Sequence, residues 1–169
     1  MIQRLTFQVE KLATLCAYLG AAIIFLQMVW ISYGVMMRYV FSSPDGTVTE
    51  ATALLLFPVA FLGLAFALKE DAYPKVSYLI DATKGKARLF VLALNYMIMI
   101  AVGSFFSIAA VRATIRAFSS GSSSEILLWP KYFFWAPGAM ALILFTFYTV
   151  LRLLGLFQNN NTLTGRGTE

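Results

Sequence analysis

The side chains able to do chemistry in this sequence are few, and they stand apart from its long uncharged runs. The densest ionisable group is Lys69, Glu70, Asp71, Asp81 and Lys84. A membrane enzyme acting on lipids would need such a cluster at one interface, but its simplest reading is a solvated loop. The chain has no histidine, which removes a His-ligated haem, a His metal site and a His-based catalytic dyad. The single cysteine, Cys16, lies in an apolar run and has no intrachain disulfide partner; a thiol there serves as a small buried side chain. No glycine-rich phosphate motif is present. The sequence therefore assigns no catalytic residue, no metal and no cofactor.

The elements that must hold these residues are plain from the distribution of charge. Four stretches, 12 to 37, 51 to 68, 89 to 111 and 132 to 151, contain no charged residue. At about 1.5 Å per helical residue each comes near or exceeds the roughly 30 Å of hydrocarbon in a bilayer, and a backbone buried there must be helical. Hydrophobic residues make up 60% of the chain and charged residues 12%, too little polar surface to cover a soluble globule of this size. The sequence thus predicts an all-α integral membrane protein with four transmembrane helices. It forms one four-helix domain over residues 1–157, with a disordered tail over 158–169 that is rich in Asn, Thr and Gly. The first uncharged run is too long for the apolar core of a signal peptide and is expected to remain as an anchor.

Basic residues in short loops stay on the cytoplasmic side. With the N-terminus inside, nine Lys and Arg residues lie in the cytoplasm and four outside (Arg38, Arg112, Arg116 and Lys131). Both termini are therefore expected inside, in a cytoplasmic membrane. The net charge of +5 then reflects attraction to anionic membrane lipids and calls for no nucleic acid.

Residues 2 to 12 place Ile2, Leu5, Val9 and Leu12 on one helical face. That pattern suits either an interfacial helix or an extension of the first span. Ala13, Ala17 and Ala21, beside Gly20, offer a surface for close helix approach. In the next loop Pro44-Asp45-Gly46 signals a turn, and Thr47 with Glu50 fits a capping box opening the second span. Glu50 is also placed to pair with Arg38 or with another subunit. Pro58 predicts a bend in span two, where Ala60, Gly63 and Ala67 form a second close-contact face. Pro74, Val76, Leu79 and Ile80 suit a segment lying on the inner surface. Gln27, Asn95, Ser104 and Ser107 are uncharged polar groups expected to bond between helices. Ser119 to Ser124 reads as a flexible, solvated loop. Trp129 and Tyr132 suit the outer interface, Pro130 the first turn of span four, and Pro137-Gly138 a loosened helix.

With no ionisable group at depth, these helices suit a structural partner of a larger membrane subunit. The stretch Arg38-Tyr39-Val40-Phe41-Ser42-Ser43-Pro44, then Thr49-Glu50, then Phe61-Leu62-Gly63 through Ala67-Leu68-Lys69, resembles the small membrane subunit of tripartite ATP-independent periplasmic (TRAP) transporters. That family shows Arg-Tyr-x-Phe-Asn-x-Pro, a Trp-x-Glu-Glu start to its second helix, a Phe-Leu-Gly stretch and a Pro-x-Gly neighbourhood in its fourth. Here Val48 and a single Glu50, followed by Ala51, replace the Trp and paired Glu. Asp71-Ala72-Tyr73-Pro74 stands where the family often has His, an apolar residue and Asp. The resemblance implies a sodium-driven importer of an organic acid, captured by a periplasmic substrate-binding protein and moved by a large membrane subunit through an elevator motion. The small subunit would brace the static scaffold, with Arg38, Tyr39, Trp129 and Tyr132 as interfacial anchors. The outer loops, 38 to 50 and 112 to 131 with Arg112 and Arg116, would touch the binding protein. The alternative is a membrane anchor of a redox enzyme whose cofactors all lie in its partners.

Overall fold

The computed structural model describes residues 2–43, 46–72 and 86–164. Its elements are α1 (Ile2–Tyr39), α2 (Gly46–Leu62), α3 (Leu64–Lys69), α4 (Lys86–Ser119) and α5 (Tyr132–Thr164). Four segments are long and apolar enough to cross a membrane: Arg4–Tyr39, Gly46–Lys69, Ala87–Ser119 and Tyr132–Gln158. The protein is therefore an all-helical, four-span bundle, as its charge pattern predicts.

The helices outrun the uncharged stretches. α1 has 38 residues, about 57 Å of helix against roughly 30 Å of hydrocarbon, and it runs without a break through residues 2 to 12. The N-terminal segment is thus an extension of the first span. α5 likewise continues past residue 157 to Thr164. Pro44 and the stripe from Pro74 to Ile80 lie outside the described residues.

Packing follows the rule of the bilayer, where small residues let helices close up because lipid gives apolar side chains no reason to be buried. The buried positions of α4 are Ala93, Gly103, Ser107, Ala110 and Ala117, every one small. Its large side chains, Phe90, Ile98, Phe105, Ile115 and Phe118, point outward. A Cβ on Gly103 would lie 2.7 Å from Thr146 Oγ1 of α5, so the two backbones approach as closely as glycine permits. α5 is the hub and touches α1, α2, α3 and α4. It supplies most of the large buried groups, among them Leu142, Phe145, Tyr148 and Leu151.

α1 meets its neighbours through residues spaced by seven. Ala13 is fully buried in the cluster that includes Ala65, Leu68 and Tyr148. A Cβ on Gly20 would sit 3.3 Å from Leu62 Cβ. Gln27 Nε2 donates to the Thr52 carbonyl at 3.2 Å, and a Cβ on Gly34 would fall 2.8 Å from Val48 Cγ1. Ala21 is exposed and Ala17 half-buried, so the four-residue alanine stripe is only the start of the true seam.

The second span breaks at Gly63, between α2 and α3, while Pro58 sits buried inside a continuous α2. Nothing lies within 4 Å of a Cβ placed on Gly63, and Ala60 is exposed. Of the expected face of Ala60, Gly63 and Ala67, the first two are turned outward and Ala67 is half-buried, because the inner face is formed by Pro58, Leu62, Ala65 and Leu68 at steps of four, three and three. Pro137-Gly138 does not end the helix: α5 runs through both, and Gly138 receives the ring of Phe57. Gln27 and Ser107 do bond between helices, Ser107 Oγ lying 3.2 Å from Thr146 Oγ1. Among the described residues, Asn95 reaches Met99, one turn along its own helix.

Candidate functional site

The polar chemistry of the bundle is concentrated at its two ends. At one, the α1–α2 and α4–α5 connections meet around Glu50, near the start of α2. Its carboxylate reaches across to a segment 75 residues away. The Glu125 N–H donates to Oε1 at 2.6 Å, the Leu127 N–H to Oε2 at 2.7 Å, and the Ile126 N–H to both, at 3.2 and 3.0 Å. Three successive backbone donors converging on one anion form a strong, geometrically specific anchor. The pair with Arg38 does not form; Arg38, exposed in the last turn of α1, lies with its guanidinium carbon 5.8 Å from the Tyr39 ring centroid. A cation there complements the carbonyl end of the helix dipole.

The clamp explains why the serine-rich connection is built rather than loose. The Ser124 N–H donates to the Trp129 carbonyl at 2.8 Å, the Trp129 N–H to Ser124 Oγ at 3.1 Å, and the Lys131 N–H to the Ser122 carbonyl at 3.0 Å. Ser123 and Pro130 face each other as an antiparallel bridge. Pro130 thus precedes α5 rather than occupying its first turn. Ser124, expected to be solvated, is 2% exposed. Leu128 takes φ +55°, a left-handed conformation that costs a bulky residue about 1–2 kcal/mol and persists because the surrounding bonds fix it. The result is a rigid turn presenting Ile126, Leu128 and Trp129, all more than half exposed.

An aromatic belt surrounds this end. Trp129 stacks on Phe134 at 6.1 Å, Tyr132 on Phe133 at 4.7 Å, and Phe118 meets Tyr132 edge-on at 5.4 Å. Phe57, seated on Gly138, lies 4.4 Å from Trp135. Tyr39, Trp129 and Tyr132 share this end, as interfacial anchors must. Arg112 and Arg116 are both exposed near the end of α4.

The opposite end holds a circuit that the charge pattern did not reveal. The Tyr148 hydroxyl, fully buried with its residue, donates to Glu10 Oε1 at 3.0 Å and accepts from Arg152 Nε at 3.0 Å. Arg152 Nη2 donates to the Lys69 carbonyl at 3.3 Å. Lys69 Nζ donates to Thr14 Oγ1 at 3.2 Å, and Thr14 Oγ1 donates to the Glu10 carbonyl at 2.8 Å. The loop closes through α1, α3 and α5 and locks the end of the broken second span against both. Of the ionisable cluster 69 to 84, half-buried Lys69 and exposed Glu70 form a pair at 3.5 Å, and Asp81 and Lys84 lie outside the described residues. The signal that points to the circuit is Tyr148 and Arg152, four residues apart and so on one helix face.

Among the described residues, every buried side-chain nitrogen and oxygen has a partner. Nothing polar in the middle of the bundle is left aimed at a cavity. The arrangement can clamp helices and loops, and it offers surfaces at its ends and flanks. A family model described as the DctQ component of tripartite ATP-independent periplasmic transporters matches residues 27–159. No curated protein and no solved structure matches the chain.

Proposed function

We propose, from the premise that this chain belongs to the DctQ component family of tripartite ATP-independent periplasmic transporters, that it acts as a non-catalytic brace for the large membrane subunit of a sodium-driven organic-acid importer. The observation that carries this reading is the inside-out construction of the bundle. Among the described residues, polar groups in the interior are satisfied by the chain itself, whereas α1 and α4 carry long rows of exposed large apolar residues, from Phe7 to Met36 and from Phe90 to Phe118. Such faces belong against lipid or against another membrane subunit. Substrate and sodium would be handled by that subunit, and this chain would enlarge its immobile part.

In this reading the Glu50 end faces the periplasm and the Tyr148 end the cytoplasm of an inner membrane, with both termini inside, as the Lys and Arg distribution favours. The turn held by Glu50, flanked by Arg112 and Arg116, would be where the substrate-binding protein touches the chain. Pre-organising that turn removes the ordering cost from docking. Calorimetry on the purified chain is expected to show no sodium-dependent binding of organic acids; binding would refute the brace. Charge reversal at Arg112 and Arg116 is expected to weaken docking of the binding protein and uptake, and unchanged docking would refute the contact.

A further inference from the structure

Between the last third of α1 and the first half of α2 runs a groove of about 640 Å³. Its floor is the close crossing of Gly34 and Val48. Ile31, Val35, Ala53 and Leu56 form its walls, and Arg38 stands at its mouth beside Tyr39. Val35 is 51% and Leu56 64% exposed, so the walls are not covered within the chain. Among the described residues no carboxylate lies within ion-pairing distance of Arg38.

Length and charge together identify the occupant. From Ile31 to Arg38 the wall rises about 10 Å, a third of the roughly 30 Å of hydrocarbon, so the groove belongs to one leaflet. Below it, the bond from Gln27 to the Thr52 carbonyl ties the two helices together. A single acyl chain needs only what is here: an apolar slot within one leaflet, capped at headgroup level by a cation and an aromatic ring.

We propose that this groove is a phospholipid site in the leaflet reached by the C-terminal end of α1, with an acyl chain against Val35 and Leu56 and the phosphate held by Arg38. The lipid completes the α1–α2 seam where the protein leaves it open. The site depends on the membrane-spanning fold and on neither transport nor docking, so its test is separate from theirs.

The test uses the assembled membrane subunits in nanodiscs containing a phosphatidylglycerol with a photoreactive acyl chain, followed by peptide mapping. Adducts are expected on residues 31–39 and 48–56. Arg38→Gln should lower them about fivefold, the worth of one basic side chain at a membrane surface, and Ala53→Phe, which fills the slot, should abolish them. Arg112→Gln should leave them unchanged. Adducts indifferent to both Arg38→Gln and Ala53→Phe would overturn the proposal. So would a photoreactive residue placed at Val35 that links to the large subunit in place of lipid.

Discussion

Replacing Gly34 with alanine tests whether close approach of α1 and α2 holds the bundle together. The new Cβ would lie 2.8, 3.1 and 3.2 Å from Cγ1, Cγ2 and Cβ of Val48, where ordinary contact begins at 3.4 Å. Val48 is buried at 7% exposure, and a valine in a helix keeps one χ1 rotamer about 90% of the time. The clash therefore falls on the backbones, which must part by about half an ångström. Overpacking of this kind costs about 1–3 kcal/mol, roughly five- to 150-fold in the folding equilibrium. Val48→Ala alone should cost about 1 kcal/mol, from the several packing contacts of about 0.1–0.2 kcal/mol each that its two methyl groups lose. The double variant should be less destabilised than the sum of the two by at least about 1 kcal/mol, because truncating Val48 removes the two nearest obstructing atoms. Gly63→Ala is the control: its helical backbone and open surroundings predict no loss, and a gain of up to about 1 kcal/mol. Denaturant titration in detergent, followed by tryptophan fluorescence, reads all four; Trp30 sits one turn from Gly34. Strictly additive effects, or a Gly34→Ala protein as stable as the parent, would refute the seam.

Other residues give independent checks. Glu50→Gln removes the anion from the three-donor clamp, so hydrogen exchange at the amides of 125 to 127 should accelerate while α1 stays protected; unchanged exchange would show that the turn holds itself. Tyr148→Phe deletes the hydroxyl joining Glu10 to Arg152 and should cost about 1 kcal/mol, the scale of membrane-embedded hydrogen bonds, with little further loss when Glu10→Gln is added. Full additivity of that pair in the same titration would contradict the circuit. Gly138→Ala displaces the Phe57 ring and should destabilise by about 1–3 kcal/mol, whereas Gly155→Ala, with nothing within 4 Å, should not; equal effects would remove the special role of Gly138.

The spans were legible because charge is the one property a bilayer sorts without regard to context. Runs free of Lys, Arg, Asp and Glu marked all four helices, although not how far each continues into the interface. Contacts between them were harder to read. The four-residue alanine stripe in α1 caught Ala13, but the seam runs through Ala13, Gly20, Gln27 and Gly34 at steps of seven. A glutamine and two glycines share no hydropathy signal; only their spacing joins them. The Ala60 and Gly63 face failed because small residues mark where a helix could be approached but not which side its neighbours take; the inner side is that of Pro58, Leu62, Ala65 and Leu68. Glu50 was visible as important, but its partners are backbone N–H groups 75 residues on, which carry no residue-type signature. The serine-rich turn looked loose for the same reason, its order coming from those bonds. At the other end, Arg152 entered only the count of Lys and Arg and Glu10 entered none, so the circuit through Tyr148 stayed hidden. The family match begins at residue 27, so it says nothing of Glu10, Ala13 or Gly20; the sequence marked Ala13 and Gly20, and the structure alone brought in Glu10.

The central claim is that this chain supports translocation without performing it. Uptake driven by a sodium gradient should be measured in proteoliposomes with the binding protein supplied outside, comparing this chain alone, the large subunit alone and the two together. Transport is expected only from the pair. Solute movement by this chain alone, or an undiminished rate from the large subunit without it, would contradict the account.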